Sequence, residues 1–371
     1  MCSLLALDKD FRFVGRGGPK MKSVAGEQFE NWIDKSGVLG LWEVIRHYGY
    51  FRKQFHATLR EIEQSKADTV VLIDYPGFNL RLSRALRKKS PKEKIIYYIS
   101  PQVWAWNRGR IKKMARWIDL MLCIFPFEAE LYNQSGLRTI FVGHPMLERL
   151  RAQKIDVERD PNLIGLFPGS RSREVRKILP ILIETSDQLV RQKPNLRFEI
   201  AAASQQLASE IEKMLSPHLS PLPQGEEDAK RPVREHRQRF AVRVGETNAI
   251  MQRAFAGIVA SGSATLEAAY FRLPFALVYK VSWITYLAGR ALVKVKYLGM
   301  PNVLANKEVV PEFIQHRAQP KQIAEAVLRL MEDKSACEEM ISDFDAVINS
   351  LGQGGASEQA AHAIMAELRL A

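Results

Sequence analysis

The sequence predicts an α/β protein of two lobes, each built on a parallel sheet. Three observations carry that expectation. Short apolar runs alternate with amphipathic, basic stretches along most of the chain, the rhythm of strand and crossover helix. At 371 residues the chain is too long for one core of ordinary size. A polar segment, RAQKIDVERDPN at 151–162, then interrupts the rhythm before a fresh strand starts. These divide the chain into a first lobe at 1–155, a second lobe at 156–340 and a helical tail at 341–371.

Taken in order, the first lobe offers strands at 68–74, 94–100, 118–125 and 139–145, separated by basic or Glu-containing helical stretches. The second offers strands at 163–167, 197–202, 240–244, 257–260 and 275–279. Several run into Gly, Ser or a polar residue, where a loop would face a ligand. Open parallel sheets bind ligands outside their strand carboxyl ends, so two such lobes would face each other across a two-substrate cleft. Residues 216–238 are rich in Pro and charge without periodicity and read as an exposed insertion. From 322 onward the apolar spacing is helical, broken by Gly352, Gly354 and Gly355. This tail is expected either to pack across the first lobe or to meet a second copy of the chain.

Composition narrows the function classes. With 46% hydrophobic and 26% charged residues the chain is neither collagen-like, coiled-coil nor wholly disordered. No run of about 18 apolar residues exists and the start lacks a signal-peptide pattern, so the expected place is the cytoplasm. The three cysteines are too scattered for a zinc motif or a disulfide framework. A balance of 54 Lys+Arg against 41 Asp+Glu, net +13, points to anionic partners: nucleic acid, an acidic membrane surface or a phosphorylated substrate.

Local motifs then suggest chemistry. In FPGSRSREV (167–175) a strand meets a small-residue turn and a helix start, and free N–H groups with Arg171 and Arg173 suit a diphosphate. An ordinary βα turn with a solvated basic helix explains the same residues equally well. ASGSATLE (260–267) repeats the logic, with Glu267 placed either for ribose hydroxyls or merely to complement the helix dipole. IDYPGFN (73–79) puts Asp74 at a strand end, where a general base is held rigid and faces substrate, although Asp is also a routine turn residue. Asn79 could bind a sugar hydroxyl or satisfy the turn. The aromatics of 97–107 suit sugar rings or acyl chains but are also ordinary core. The stretch 283–296 mixes Trp, Tyr and Leu with Arg and Lys, as does a helix on an anionic membrane. A half-buried helix with basic edges reads equally well. His144 is more readily a turn histidine than a catalyst. No His/Asp/Glu set has metal-ligand spacing.

Together these stretches resemble the lipid-A-disaccharide synthases, glycosyltransferases of GT-B fold. The residues that carry the resemblance are IDYPGFNL (73–80), ISPQVWAW (99–106), VGHP (142–145), FPGSR (167–171), ASGSATLE (260–267) and YLGMPNVLANKEVVPE (297–312). The resemblance implies an inverting, cofactor-free and metal-free transfer of 2,3-diacylglucosamine from UDP to the 6-hydroxyl of 2,3-diacylglucosamine 1-phosphate. The product is a β-1′,6 lipid A disaccharide 1-phosphate. It implies Asp74 as general base and Arg171 at the departing diphosphate. Ser170, Ser261, Gly262, Glu267, Asn302 and Glu308 fall around UDP and its sugar, and Asn79, Ser100, Gln102 and Trp104 around the acceptor. Anionic lipid substrates imply a peripheral enzyme on the inner face of the inner membrane, and a homodimer through the C-terminal region is compatible with the family.

Four departures qualify it. Family members begin with a further strand and a Gly-Glu-x-Ser-Gly-Asp loop, whereas this chain opens at what resembles the next helix and the strand at 11–15. Either translation starts upstream or the product is truncated, and a truncated chain should be poorly stable. The others are the insertion 216–238, Gly77 where an acidic residue is common, and Asn306-Lys307 where Gly-Arg is common. The alternatives are another GT-B enzyme of UDP-sugars, such as a UDP-N-acetylglucosamine 2-epimerase or a muramyl-type transferase, or an inactive binding protein. A nucleic-acid binder would lose affinity steeply with salt, and no such motif supports it.

Overall fold

The computed structural model describes residues 1–27, 29–31, 48–215, 239–283, 286 and 295–369. By their contacts they form two compact units, Met1–Pro145 with Leu351–Ala371, and Met146–Ser350. The chain therefore divides at 145/146 rather than at 155/156, and the last helix returns to the first unit. The insertion 216–238 and most of the 283–296 stretch lie outside the described residues.

In the first unit β1 (Gly15–Gly17) and β2 (Phe29–Asn31) form a two-stranded parallel sheet. A second sheet holds β3 (Thr69–Ile73), β4 (Lys94–Tyr98), β5 (Leu120–Cys123) and β6 (Thr139–Phe141), all parallel and in that order. Its middle strands have apolar centres because both faces are covered there, and Ile95, Ile96, Leu120 and Leu122 are fully buried. The helix Pro76–Lys89 starts with Pro at its first position and buries Phe78, Leu80, Leu82 and Leu86. Three cations in its last turn complement the helix dipole. The expected strand at 11–15 is displaced to Gly15–Gly17. Phe11 and Phe13 instead stack with ring centroids 6.0 Å apart and pack on a core cluster containing Leu4, Ile96 and Ile364.

The tail makes two helices, Lys334–Ser350 in the second unit and Ala356–Arg369 in the first. Between them lie the three glycines, all at positive φ. Ala360, Ala361 and Ile364 join that first-unit cluster, and buried Glu367 takes Lys94 at 3.0 Å and Arg138. So the tail packs on its own lobe.

The second unit is a six-stranded parallel sheet: β7 (Asp160–Phe167), β8 (Arg197–Ala202), β9 (Phe240–Val244), β10 (Ala254–Ala260), β11 (Phe275–Tyr279) and β12 (Glu312–Ile314). Their order is 12-11-10-7-8-9. The chain builds outward from β7 to β9, then returns to add β10 on the other side of β7. That reversal leaves a crevice between β7 and β10 at their carboxyl ends, where open sheets take ligands. The helix Ser172–Gln192 covers the sheet with Val175, Ile178, Leu179 and Leu182. Arg159, just before β7, is half-buried and gives its guanidinium to the carbonyls of Met251, Ala254 and Phe271. Burial lowers its pKa to about 10.

Candidate functional site

β3 enters the helix Pro76–Lys89 through Asp74 and Tyr75, both left-handed at φ +45° and +47°. A non-glycine residue there costs on the order of 1–3 kcal/mol, so this turn needs support from outside. The Asp74 N–H donates to the Tyr98 carbonyl at 2.9 Å, and the Tyr97 hydroxyl donates to the Asp74 carbonyl at 2.6 Å. Asn79 Nδ2 donates to the carbonyls of Asp74 and Ile73, at 2.7 and 3.0 Å. Asn79 thus spends its donors on the turn. The Asp74 carboxylate is exposed and, among the described residues, accepts no hydrogen bond. Burial raises the pKa of the Tyr97 hydroxyl, the charge of Asp74 raises it further, and Arg110 opposes them. The Arg110 guanidinium lies 5.7 Å over the Trp106 ring. Along the outer edge of β3 runs a groove of about 490 Å³ whose walls include Val14, Met21, Phe29, Val70, Leu72 and Phe78, with Asp74 and Asn79 among its lining.

The segment after β4 presents only part of its polar content. Gln102, Trp106 and Asn107 are exposed, whereas Ser100 and Trp104 are buried. The Ser100 hydroxyl donates to Glu128 Oε2 at 2.6 Å and the Trp104 indole to Glu128 Oε1 at 2.8 Å. Both side chains therefore face the protein interior, not a ligand. Glu128 was not singled out from the sequence. Its signal is Phe125-Pro-Phe-Glu128, a Glu three residues past the helix N-cap whose carboxylate folds back to the Phe125 N–H at 3.3 Å. Glu128 is fully buried, and that burial pushes its pKa up to about 7 against the pull of its hydrogen bonds.

In the second unit Phe167 pairs with Val259 across β7 and β10, so the turns 168–171 and 261–263 stand side by side. Gly169 has φ +111°, and a Cβ there would sit 2.6 Å from a Glu174 carboxylate oxygen. That carboxylate accepts the Ser170 N–H at 3.3 Å and the Arg171 guanidinium at 3.1 Å. Both donors suit an anion, and the exposed Arg171–Glu174 pair is weak enough to yield to a more highly charged one. Opposite, Ser261 and Gly262 are at least partly exposed, and Thr265 caps back onto the Gly262 carbonyl at 2.7 Å. Glu267 is held by Arg149 at 2.6 Å.

Asn302 differs most from its expected role. It is fully buried, and its oxygen accepts the N–H groups of Val309 and Val310, each at 2.8 Å. Its amide donates to the Val310 carbonyl at 2.8 Å and to Glu312 at 2.9 Å. Glu312 in turn accepts the N–H groups of Leu298 and Gly299. Asn302 therefore holds the loop from which Glu308 is exposed, rather than pointing at a ligand itself. Among the described residues no three His, Cys, Asp or Glu side chains gather closely enough to hold a metal ion. No described helix is long and apolar enough to cross a membrane.

These turns can be set against known proteins. Solved structures share the fold at low identity. A protein from Listeria monocytogenes described as a candidate UDP-N-acetylglucosamine 2-epimerase aligns with 100% of this chain and 92% of its own, with a TM-score of 0.61 and 12% identity. A trehalose 6-phosphate synthase from Burkholderia multivorans aligns with 89% and 77%, with a TM-score of 0.50 and 13% identity. Such likeness shows the fold, α/β with parallel sheets of GT-B type. Sequence relatives are more specific. Lipid-A-disaccharide synthases from Persephonella marina and Geobacter sulfurreducens are 35% and 34% identical, over 96% and 97% of this chain and 92% and 91% of theirs. One from Coxiella burnetii is 30% identical over 98% of this chain and 92% of its own. The family model for lipid-A-disaccharide synthetase matches residues 3–366, and the chain accordingly belongs to that family of glycosyltransferases.

Proposed function

We propose that the chain makes the β-1′,6 lipid A disaccharide 1-phosphate, joining 2,3-diacylglucosamine from its UDP conjugate to 2,3-diacylglucosamine 1-phosphate. The observation that carries the chemistry is the exposed Asp74 carboxylate, unpartnered among the described residues, on a turn clamped by Asn79, Tyr97 and Tyr98. A base that is rigid, exposed and, among the described residues, free of hydrogen bonds is poised for an incoming hydroxyl. Asp74 takes the proton of the acceptor 6-hydroxyl as its oxygen attacks the anomeric carbon. The carbon–oxygen bond to the diphosphate breaks from the opposite face, its electron pair leaves on UDP, and the configuration inverts.

Arg171 and the Ser170 N–H neutralise the charge that grows on the leaving diphosphate, displacing Glu174 from both. The neighbouring Ser261-Gly262 turn takes part in holding UDP, Glu267 its ribose, and Glu308 the sugar. On the acceptor side Gln102 makes direct contact, with Ser100 and Trp104 supporting it. The Staphylococcus aureus protein MnaA, of related fold at a TM-score of 0.53 and 13% identity, has been solved with UDP, which fits a nucleotide at the β7/β10 crevice. Anionic lipid substrates and a net charge of +13 support a peripheral enzyme on the inner face of the inner membrane. The buried face of the last helix is taken by its own lobe, so dimerisation through this region uses exposed residues. The epimerase alternative shares only the fold, and water-soluble products from UDP-N-acetylglucosamine alone would favour it. Turnover of the two acylated substrates to disaccharide and UDP tests the proposal, and a folded protein that makes neither overturns it.

A further inference from the structure

We propose that Glu128 is the positioning residue of the loop 99–107: through Ser100 and Trp104 its carboxylate sets where Gln102 and Trp106 stand, and so how the acceptor sugar is bound. The identity of that sugar rests on the reading above.

The argument starts from an energetic oddity. Glu128 is fully buried, and among the described residues no cation pairs with it. Burying a carboxylate without a counter-ion is costly, and an apolar side chain in its place would favour stability. What offsets the cost is three donors, the Ser100 hydroxyl, the Trp104 indole and the Phe125 N–H, two of them from the loop. The same helix, Pro126–Gln134, grips the loop twice more. The Tyr132 hydroxyl donates to the Pro101 carbonyl at 2.5 Å, and Phe127 meets the Trp104 ring edge to face at 4.9 Å. The loop has little regular structure of its own: Ile99 is left-handed at φ +65°, and two short 3-10 turns follow, Val103–Ala105 and Arg108–Arg110. Its buried half is thus fixed from the helix, and its exposed half, Gln102, Trp106 and Asn107, is placed as a consequence.

Glu128 has its pKa raised to about 7, and a histidine, His144, lies beside the same cluster, so the removal of a pH transition by Glu128→Gln is what assigns it to Glu128. The neighbouring Cys123 thiol and Tyr132 hydroxyl are both raised by burial and further by Glu128, and Tyr97 by burial and by Asp74, so all three stay neutral. The His144 ring stands 5.3 Å from that of Phe125. When Glu128 takes a proton its Oε–H can donate to Ser100 Oγ, which reverses one bond of the set.

The test has two arms. In steady-state kinetics Glu128→Leu should raise the acceptor KM about tenfold or more and leave the donor KM within about twofold. Glu128→Gln keeps an oxygen for the Trp104 indole and an amide for Ser100, and should restore most of the loss. An unchanged acceptor KM in folded Glu128→Leu, or equal rises in both KM values, would overturn the proposal. If Glu128→Leu does not fold, Ser100→Ala with Trp104→Phe removes the same bonds from the loop side and is held to the same outcomes. The second arm needs no turnover: indole and side-chain amide resonances of 15N-labelled protein are followed against pH. Trp104, Trp106 and Gln102 should shift together with a midpoint near the Glu128 pKa of about 7, and the shared transition should vanish in Glu128→Gln. A transition confined to Trp104 would refute the positioning role even if the parent makes no disaccharide, an outcome that would reject the function proposed above instead.

Discussion

Asn79→Ala separates two roles for one side chain. Its amide makes two hydrogen bonds, to the Asp74 and Ile73 carbonyls, across a turn with two consecutive left-handed residues. At ~0.5–1.5 kcal/mol per bond, their loss should lower the stability of the first unit by about 1–3 kcal/mol. Tyr97 and Tyr98 still hold Asp74, so the turn should relax rather than unravel. A displacement of the base by ~1 Å is enough to reduce the rate by about 100-fold, so kcat should fall well before folding fails. Urea unfolding with steady-state kinetics reads both effects. Asn79→Asp sharpens the comparison, since a carboxylate there could still accept a bond from a sugar hydroxyl but would repel the two carbonyls. The clamp predicts that Asp is at least as harmful as Ala. Unchanged stability and kcat in Asn79→Ala, with a raised acceptor KM that Asp restores, would refute the reasoning.

Three further outcomes follow from the same geometry. Asn302→Ala leaves the buried N–H groups of Val309 and Val310 unpaired at ~1–3 kcal/mol each, so thermal melting should show a clear loss in the second unit; a ligand-contact role would instead weaken UDP binding without it. Gly169→Ala forces a Cβ against Glu174 at positive φ, and calorimetry should find UDP binding weakened by about tenfold or more, with the fold retained. Glu128 has a folded pKa raised from 4.5 to about 7, so the folded state holds its proton longer than the unfolded chain and this group's contribution to stability falls as pH rises through that interval. Urea midpoints across that range should show a downward contribution that Glu128→Gln removes.

Phe275–Tyr279 was legible because a strand buried on both faces is a continuous apolar run. Arg197–Ala202 and Phe240–Val244 also have the bounds read from sequence, the second as a half-buried to exposed edge strand. β1, β2 and β12 are three residues each, too short for any pattern to stand out. At the candidate site the motifs located the loops but not the direction of each side chain. Asn79, Ser100, Trp104 and Asn302 are polar groups beside or within tight turns and first helical turns, and there the need to satisfy buried or strained backbone and a buried carboxylate turned them inward. Glu128 was passed over for the opposite reason, since a Glu in a first helical turn usually faces solvent, and only the packing of the loop above it reveals its burial. The division at 145/146 differs from the one read from sequence because the polar segment 151–162 follows, rather than precedes, the helix Met146–Arg151, which buries Met146, Leu147 and Leu150 and belongs to the second unit.

The most direct test of the central claim is disaccharide formation by the purified chain from UDP-diacylglucosamine and diacylglucosamine 1-phosphate, beside Asp74→Asn. The account predicts turnover by the parent and a loss of about 100-fold or more in the variant, the scale of a missing general base, with UDP affinity unchanged. Equal turnover by a folded Asp74→Asn would contradict the assignment of the base, and no turnover by a folded parent would contradict the proposed reaction itself.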